Sequence, residues 1–120
     1  MIESKNPDLL ERTLAFAQDI RAFLRRVPRT IANIEDGKQL IRSSGSVGAN
    51  YIEAREAISK KDYLHRVKIC RKESKESGYW LQLLCFEHRG ELERERQRLI
   101  LEARQFVLMF SAIVSKASKS

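Results

Sequence analysis

Residues 43 to 50 read SSGSVGAN, and the fold turns on whether they form a loop, a phosphate cradle or the middle of a helix. By composition the stretch is turn chemistry, with two glycines and three serines. Its surroundings say otherwise. Ile34, Gly37, Ile41, Ser44, Gly48 and Tyr51 fall on one helical stripe, with Leu40, Val47, Ala54 and Ile58 beside it, and the phase runs through the serines unbroken. A loop would have lost that register. Each glycine inside a helix costs roughly 0.8 to 1 kcal/mol against alanine, so Gly45 and Gly48 call for compensation, which close approach of a neighbouring backbone can supply. The expectation is a long helix over 30–58 with a thin middle. The phosphate-cradle readings fail on chemistry: Ala49 and Asn50 follow Gly48 where a Walker loop needs Lys and then Ser or Thr, and no G-x-G-x-x-G follows a strand.

Outward from this stretch, three more helices follow from the same period. Asn6 can cap a helix over 7–27 that begins at Pro7, and Leu9, Thr13, Phe16, Ile20, Phe23 and Val27 form its seam in steps of four and three. Leu10, Leu14, Ala17 and Leu24 widen that face enough to meet two neighbours, and Pro28 ends it. In SKKD, 59 to 62, Ser59 can cap a helix over 60–87 whose first turn holds Asp62. Its seam is Tyr63, Val67, Cys70, Ser74, Ser77, Leu81 and Leu84, and Gly90 can supply the stop. A helix over 91–117 carries Leu92, Leu99, Ala103, Phe106, Phe110 and Ile113 on one face, interrupted by Arg96. Together these predict an all-α protein, an up-and-down antiparallel four-helix bundle forming one domain over 1–120.

Composition bounds the partners. The chain has 120 residues, enough for a core without staples, and 23 Lys and Arg against 16 Asp and Glu leave a net charge of +7. A basic balance favours polyanions such as nucleic acid. The start, MIESKNPDLLERTLAF, lacks a basic n-region before an apolar run, and the most apolar stretch, FVLMFSAIV at 106–114, is far short of the roughly 20 residues of a membrane helix. A cytoplasmic protein with no membrane contact is expected. Cys70 and Cys85 would lie about 22 Å apart along one helix, too far for a mutual disulfide, so both read as free thiols.

The run LIRSSGSVGANYIEAREAISKKDYLHRVKICRKESKESGYWLQLL, 40 to 84, resembles the proteins encoded in intervening sequences of bacterial 23S rRNA genes. The small-residue block leading into Asn50 and Glu53, then SKKD and RKESKESGYW, carry the likeness. The family is similar to the accessory variability protein of diversity-generating retroelements. The resemblance implies a four-helix bundle assembled as a ring, a homopentamer, with a basic surface, no catalytic activity, and nucleic acid and a reverse transcriptase or RNA-processing protein as partners. Many relatives place glycine after the Asn and Glu of the block, where this chain has Ala54 and Arg55.

The residues offer their own binding surface. At about 100° per residue Lys61, His65, Lys68, Lys72, Lys75 and Tyr79 share one stripe opposite the seam, with Arg71 at its edge. Such a ridge can take phosphates, and Tyr79 can stack a base. The competing reading is a merely solvated face, since Glu73 and Glu76 lie nearby and exposed helix faces are usually charged. Arg25 and Arg26 form a second basic cluster at the end of helix 1, where they also complement the helix dipole. In ELERERQR, 91 to 98, alternating signs predict a self-pairing surface.

No catalytic set assembles. Asp62-x-x-His65 is a single half of a di-metal motif, Cys85 and His88 lack an orienting third group, and Asn50 with Glu53 more readily satisfies neighbouring helices than performs chemistry. Neither a metal nor a cofactor is expected, nor an enzyme. In helix 4, Val107, Met109 and Val114 fall partly outside the seam, and a subunit interface is the economical cover for them. The two function classes left are a nucleic-acid-binding oligomer and a scaffold for protein partners whose charge serves solubility alone.

Overall fold

A computed structural model describes residues 9–119. It contains four helices, α1 (Leu9–Leu24), α2 (Ile31–Arg55), α3 (Lys60–Leu83) and α4 (Glu91–Lys119), and no strand among the described residues. The proposed cap at Asn6 and Pro7 lies outside them. α2 packs on α3, α3 on α4, and α1 on both α2 and α4, so α1 and α3 occupy diagonal corners of the bundle. Connections of a few residues cannot return along helices this long, so consecutive helices run antiparallel.

SSGSVGAN is helix. Thr30 caps α2 by accepting from Asn33 N at 3.1 Å, and the helix continues unbroken to Arg55. Gly48 is where α1 comes closest: a Cβ there would stand 2.9 Å from Thr13 Oγ1 and 3.4 Å from Thr13 Cβ. Gly45 is different, because its added methyl would meet only the Arg21 guanidinium, at 3.4 Å. On the other side of α2, Ser43 and Ser77 hydroxyls share a hydrogen bond of 2.9 Å, and the Cys70 thiol donates to Val47 O at 3.4 Å. The buried side of α2 is Asn33, Gly37, Leu40, Ser43, Ser44, Val47 and Ala54. Gly37 and Ser44 of the expected stripe are buried, as are Leu40, Val47 and Ala54 beside it, but Ile41 is exposed at 39%, and Ile58, at 98%, lies beyond the helix end.

The α1 seam is buried throughout, and so is that of α3 apart from the half-buried Tyr63. Phe16 meets Phe106 edge-on with centroids 5.4 Å apart, which places the aromatic core between α1 and α4. Ala54, the departure from the family block, is buried at 2%. Arg12 and Glu102 pair at 2.6 Å across α1 and α4, which holds the Arg12 guanidinium above its ordinary pKa.

α3 ends at Leu83 rather than at 87, and Gly90 does not stop it. Instead Arg96, buried at 3%, donates to Leu81 O at 3.1 Å and to Leu84 O, pairs with Glu93 at 2.8 Å and lies 4.1 Å from the Phe86 ring centroid. The residue that interrupts the α4 seam is therefore the cap of α3. Asn33 completes the stop: its Oδ1 accepts from Cys85 N and its Nδ2 donates to Cys85 O, both at 2.8 Å. Gly90, at φ 87°, sits just before α4, and Arg94 N donates to its carbonyl at 3.1 Å.

Gly48→Leu should destabilise the bundle by about 1 to 3 kcal/mol or more through overpacking against Thr13, whereas Gly45→Ala should gain roughly 0.5 to 1 kcal/mol. Thermal melts of the two variants check this opposition. Arg96→Met should cost about 3 kcal/mol in urea unfolding, because two buried carbonyls lose a donor and Glu93 keeps only Gln97 of its two hydrogen-bonding partners. Hydrogen bonding from Arg96, then from Gln97, holds the Glu93 carboxyl below its ordinary range. The stability this gives is fully present above the ordinary carboxyl range and is lost as pH falls from there through the depressed folded-state value, so Glu93→Gln should blunt acid destabilisation.

Candidate nucleic-acid interface

The outward side of α3 is set by its own wheel. Because Val67, Cys70, Ser74, Ser77 and Leu81 face the core, Lys61, His65, Lys68, Lys72, Lys75 and Tyr79 are carried to the opposite side, and all six are exposed. Arg71 is half-buried at the edge towards α4. Among the described residues Lys61, Lys68, Arg71 and Lys75 take part in no ion pair, and Lys72 reaches only Glu73, at 3.8 Å.

The acids nearest the ridge are drawn to the other side. Glu73 is buried at 5%, and Arg42 of α2 donates to it at 3.2 Å and to Glu76 at 3.0 Å. Arg42 is thus a site residue that the sequence reading passed over. Its only signal in the sequence is position on α2; that it faces α3 is a product of the packing.

A groove of about 430 Å³ runs beside the ridge between α3 and α4. Buried Ser74, Ile100 and Ala103 and half-buried Gly78 and Val107 lie along it, while Lys75, Tyr79, Gln82, Arg104 and Leu108 are exposed at its edges. Arg104 was likewise unforeseen. Tyr79 touches Trp80 edge-on, with centroids 5.2 Å apart.

Arg25 and Arg26 are not part of this surface. They follow α1, the helix diagonal to α3; Arg25 is exposed and Arg26 pairs with Glu91 at 3.2 Å. The residues assigned to a subunit contact are also placed differently from one another. Val114 is buried at 9% in the protomer's own core, Val107 and Met109 are half-buried, and Arg12 donates to the Met109 sulfur at 3.7 Å. The outward apolar side chains of α4 are Leu101 and Leu108, at 57% and 63% exposure. A second apolar surface, a groove of about 520 Å³, lies between α1 and α2 and includes Leu10, Leu14, Gly45, Ala49 and Ile52.

The remaining polar constellations resolve into structure. Asn50 donates to Ser46 O at 2.9 Å and accepts from Arg66 at 3.2 Å, while Glu53 is exposed and apart from it. His88 lies on the α3–α4 connection, 3.2 Å from Arg96 and 3.6 Å from Glu93. Burial pushes the Cys70 thiol up to about 12, so it is a packing group rather than a nucleophile, and Cys85 is an exposed free thiol. In ELERERQR, Arg98 pairs with Glu95 at 2.7 Å and also with Asp19 of α1 at 2.9 Å, so the surface binds α1 as well as itself. No group of three His, Cys, Asp or Glu among the described residues could hold a metal, and no described helix is long and apolar enough to cross a membrane.

A comparison with curated proteins returned no match. Among solved structures, a protein of unknown function from the S23 ribosomal protein family of Bacteroides thetaiotaomicron is similar, at 25% identity and a TM-score of 0.73. The match covers 88% of this chain and 96% of that one. Residues 5–111 match the family described as 23S rRNA-intervening sequence protein, and with nearly the whole chain covered, this bundle belongs to that family.

Proposed function

We propose that the protein is a cytoplasmic, non-enzymatic, self-associating bundle that binds nucleic acid through the outward face of α3. The observation that carries the reading is the division of charge on that helix. Arg42 holds Glu73 and Glu76 towards α2, so of the ridge lysines Lys72 alone reaches an acid, Glu73 at 3.8 Å, and Lys61, Lys68 and Lys75 are left to an outside partner. A solubilising face has no need of such sorting, and pairs between neighbouring turns would have neutralised it. The family description makes RNA the first probe to try. A protein that handles RNA, a reverse transcriptase among them, is the partner class that the family resemblance implies.

Lys68, Lys72 and Lys75 changed together to Glu should abolish RNA retention in a gel shift while leaving helicity intact, since all three are exposed. In wild type, affinity should fall steeply with salt, by a slope of about 0.7 for each phosphate contact on a single strand. Unchanged retention in the triple variant would remove α3 from the interface.

Self-association rests on the two apolar surfaces. Leu101 and Leu108 project from the α4 corner, and the α1–α2 groove presents Leu14 and Ile52, exposed at 58% and 48%. Surfaces that differ in this way pair head to tail, which closes into a ring when the rotation between copies allows, and five copies is the number that the family resemblance implies. Light scattering should give a multiple of the 14.0 kDa chain mass, and Ile52→Glu should reduce it to the monomer.

A further inference from the structure

We infer that the α3–α4 groove is a base-binding site and that the protein prefers unpaired nucleic acid to duplex, an inference resting on the proposed nucleic-acid reading of the same face. A row of lysines alone would not distinguish the two, because phosphates are present on both. The groove adds what a lysine row lacks. Tyr79 stands at its edge with more than half of its surface exposed, next to Gly78, whose missing side chain leaves the α3 backbone open. A Cβ at Gly78 would find only Ala103 Cβ, at 3.9 Å, so the glycine is not there to relieve a helix contact and alanine would fit in its place. What its absence of a side chain provides is a shallow bed beside an aromatic ring, the shape a flat heterocycle needs.

The edges supply the polar chemistry. Gln82 is exposed one helical turn beyond Gly78, to whose carbonyl its Nε2 donates at 3.2 Å, so its Oε1 is free to accept from a base edge. Lys75 from α3 and Arg104 from α4 flank the groove, and neither takes part in an ion pair among the described residues. Cations on both walls of an apolar trough match a nucleotide, whose anionic phosphate and stackable base must be bound together. A paired base is already stacked on both faces and its Watson–Crick edge is occupied, so a duplex can use the ridge but cannot lay a base in the groove.

Three RNA probes of equal length separate the claims by fluorescence anisotropy at fixed salt: a single-stranded oligouridylate, a fully paired duplex, and an abasic sugar-phosphate strand. Wild type should bind the oligouridylate about ten-fold tighter than the abasic strand, the scale of one stacked base. Tyr79→Ala should erase most of that difference without changing abasic affinity, and Tyr79→Phe should keep it. Circular dichroism controls for folding. Equal affinity for oligouridylate and abasic strand, or tighter binding of duplex than of single strand, overturns the groove while leaving the ridge. Failure of all three probes to bind removes both.

Discussion

The middle of α2 is nearly without side chains, and the rest of the bundle is arranged around that fact. At Gly48 the Thr13 side chain of α1 stands where a methyl group would be, and on the other flank Ser43 meets Ser77 while Cys70 reaches the carbonyl of Val47. Two neighbours thus close on one helix at the same level. Small residues permit this approach, but they bury little apolar area, so the large side chains collect elsewhere. Phe16, Phe106 and Phe110 fill the space between α1 and α4, with Tyr51 of α2 reaching Phe110 at a centroid distance of 6.0 Å. The buried hydroxyls are all engaged: Ser74 donates to Cys70 O, Ser77 to Glu73 O and Thr13 to Leu10 O. Among the described residues Trp80 Nε1 is the one buried side-chain polar atom without a partner, so the desolvation cost of this core's polar groups is otherwise met.

Close α2–α3 packing also shapes the outer surface. With Ser74 and Ser77 against α2, Glu73 and Glu76 come within reach of Arg42, and the acids of a mixed-charge helix are spent on an internal contact. What α3 presents outward is then cationic from Lys61 to Lys75 and ends at an exposed tyrosine beside a groove. The formal charge of the whole chain, +7, understates how uneven its distribution is. Fold and proposed function meet in this one pairing.

Much of this was legible in the sequence, and the limits have physical causes. The α1 and α3 seams follow from periodicity alone because apolar and small residues recur there without competition. The thin middle of α2 is legible for the same reason, with Leu40, Val47 and Ala54 in the core as expected, but Ile41 is exposed, since a helix of small residues gives its buried face a weak direction. The end of α3 was not legible. It is set by Arg96 and Asn33, which act on Leu81 and Cys85 from 15 and 52 residues away in the chain, and no local signal marks either as a cap. Arg96 read as a flaw in a seam because burial of a guanidinium makes sense only once the carbonyls it serves are in place. At the ridge, exposure followed from the wheel, but the fate of Glu73 and Glu76 depended on which helix lay beside them.

Amide hydrogen exchange across residues 43–50, followed by NMR, tests the central claim most directly. If the stretch is a continuous helix clamped between α1 and α3, the amides of Val47 and Gly48 should exchange as slowly as those of Val67 and Phe106, through opening of the whole bundle. Exchange of those amides near the random-coil rate, with the flanking turns of α2 still protected, would mean that SSGSVGAN is a loop and that the close approach does not exist.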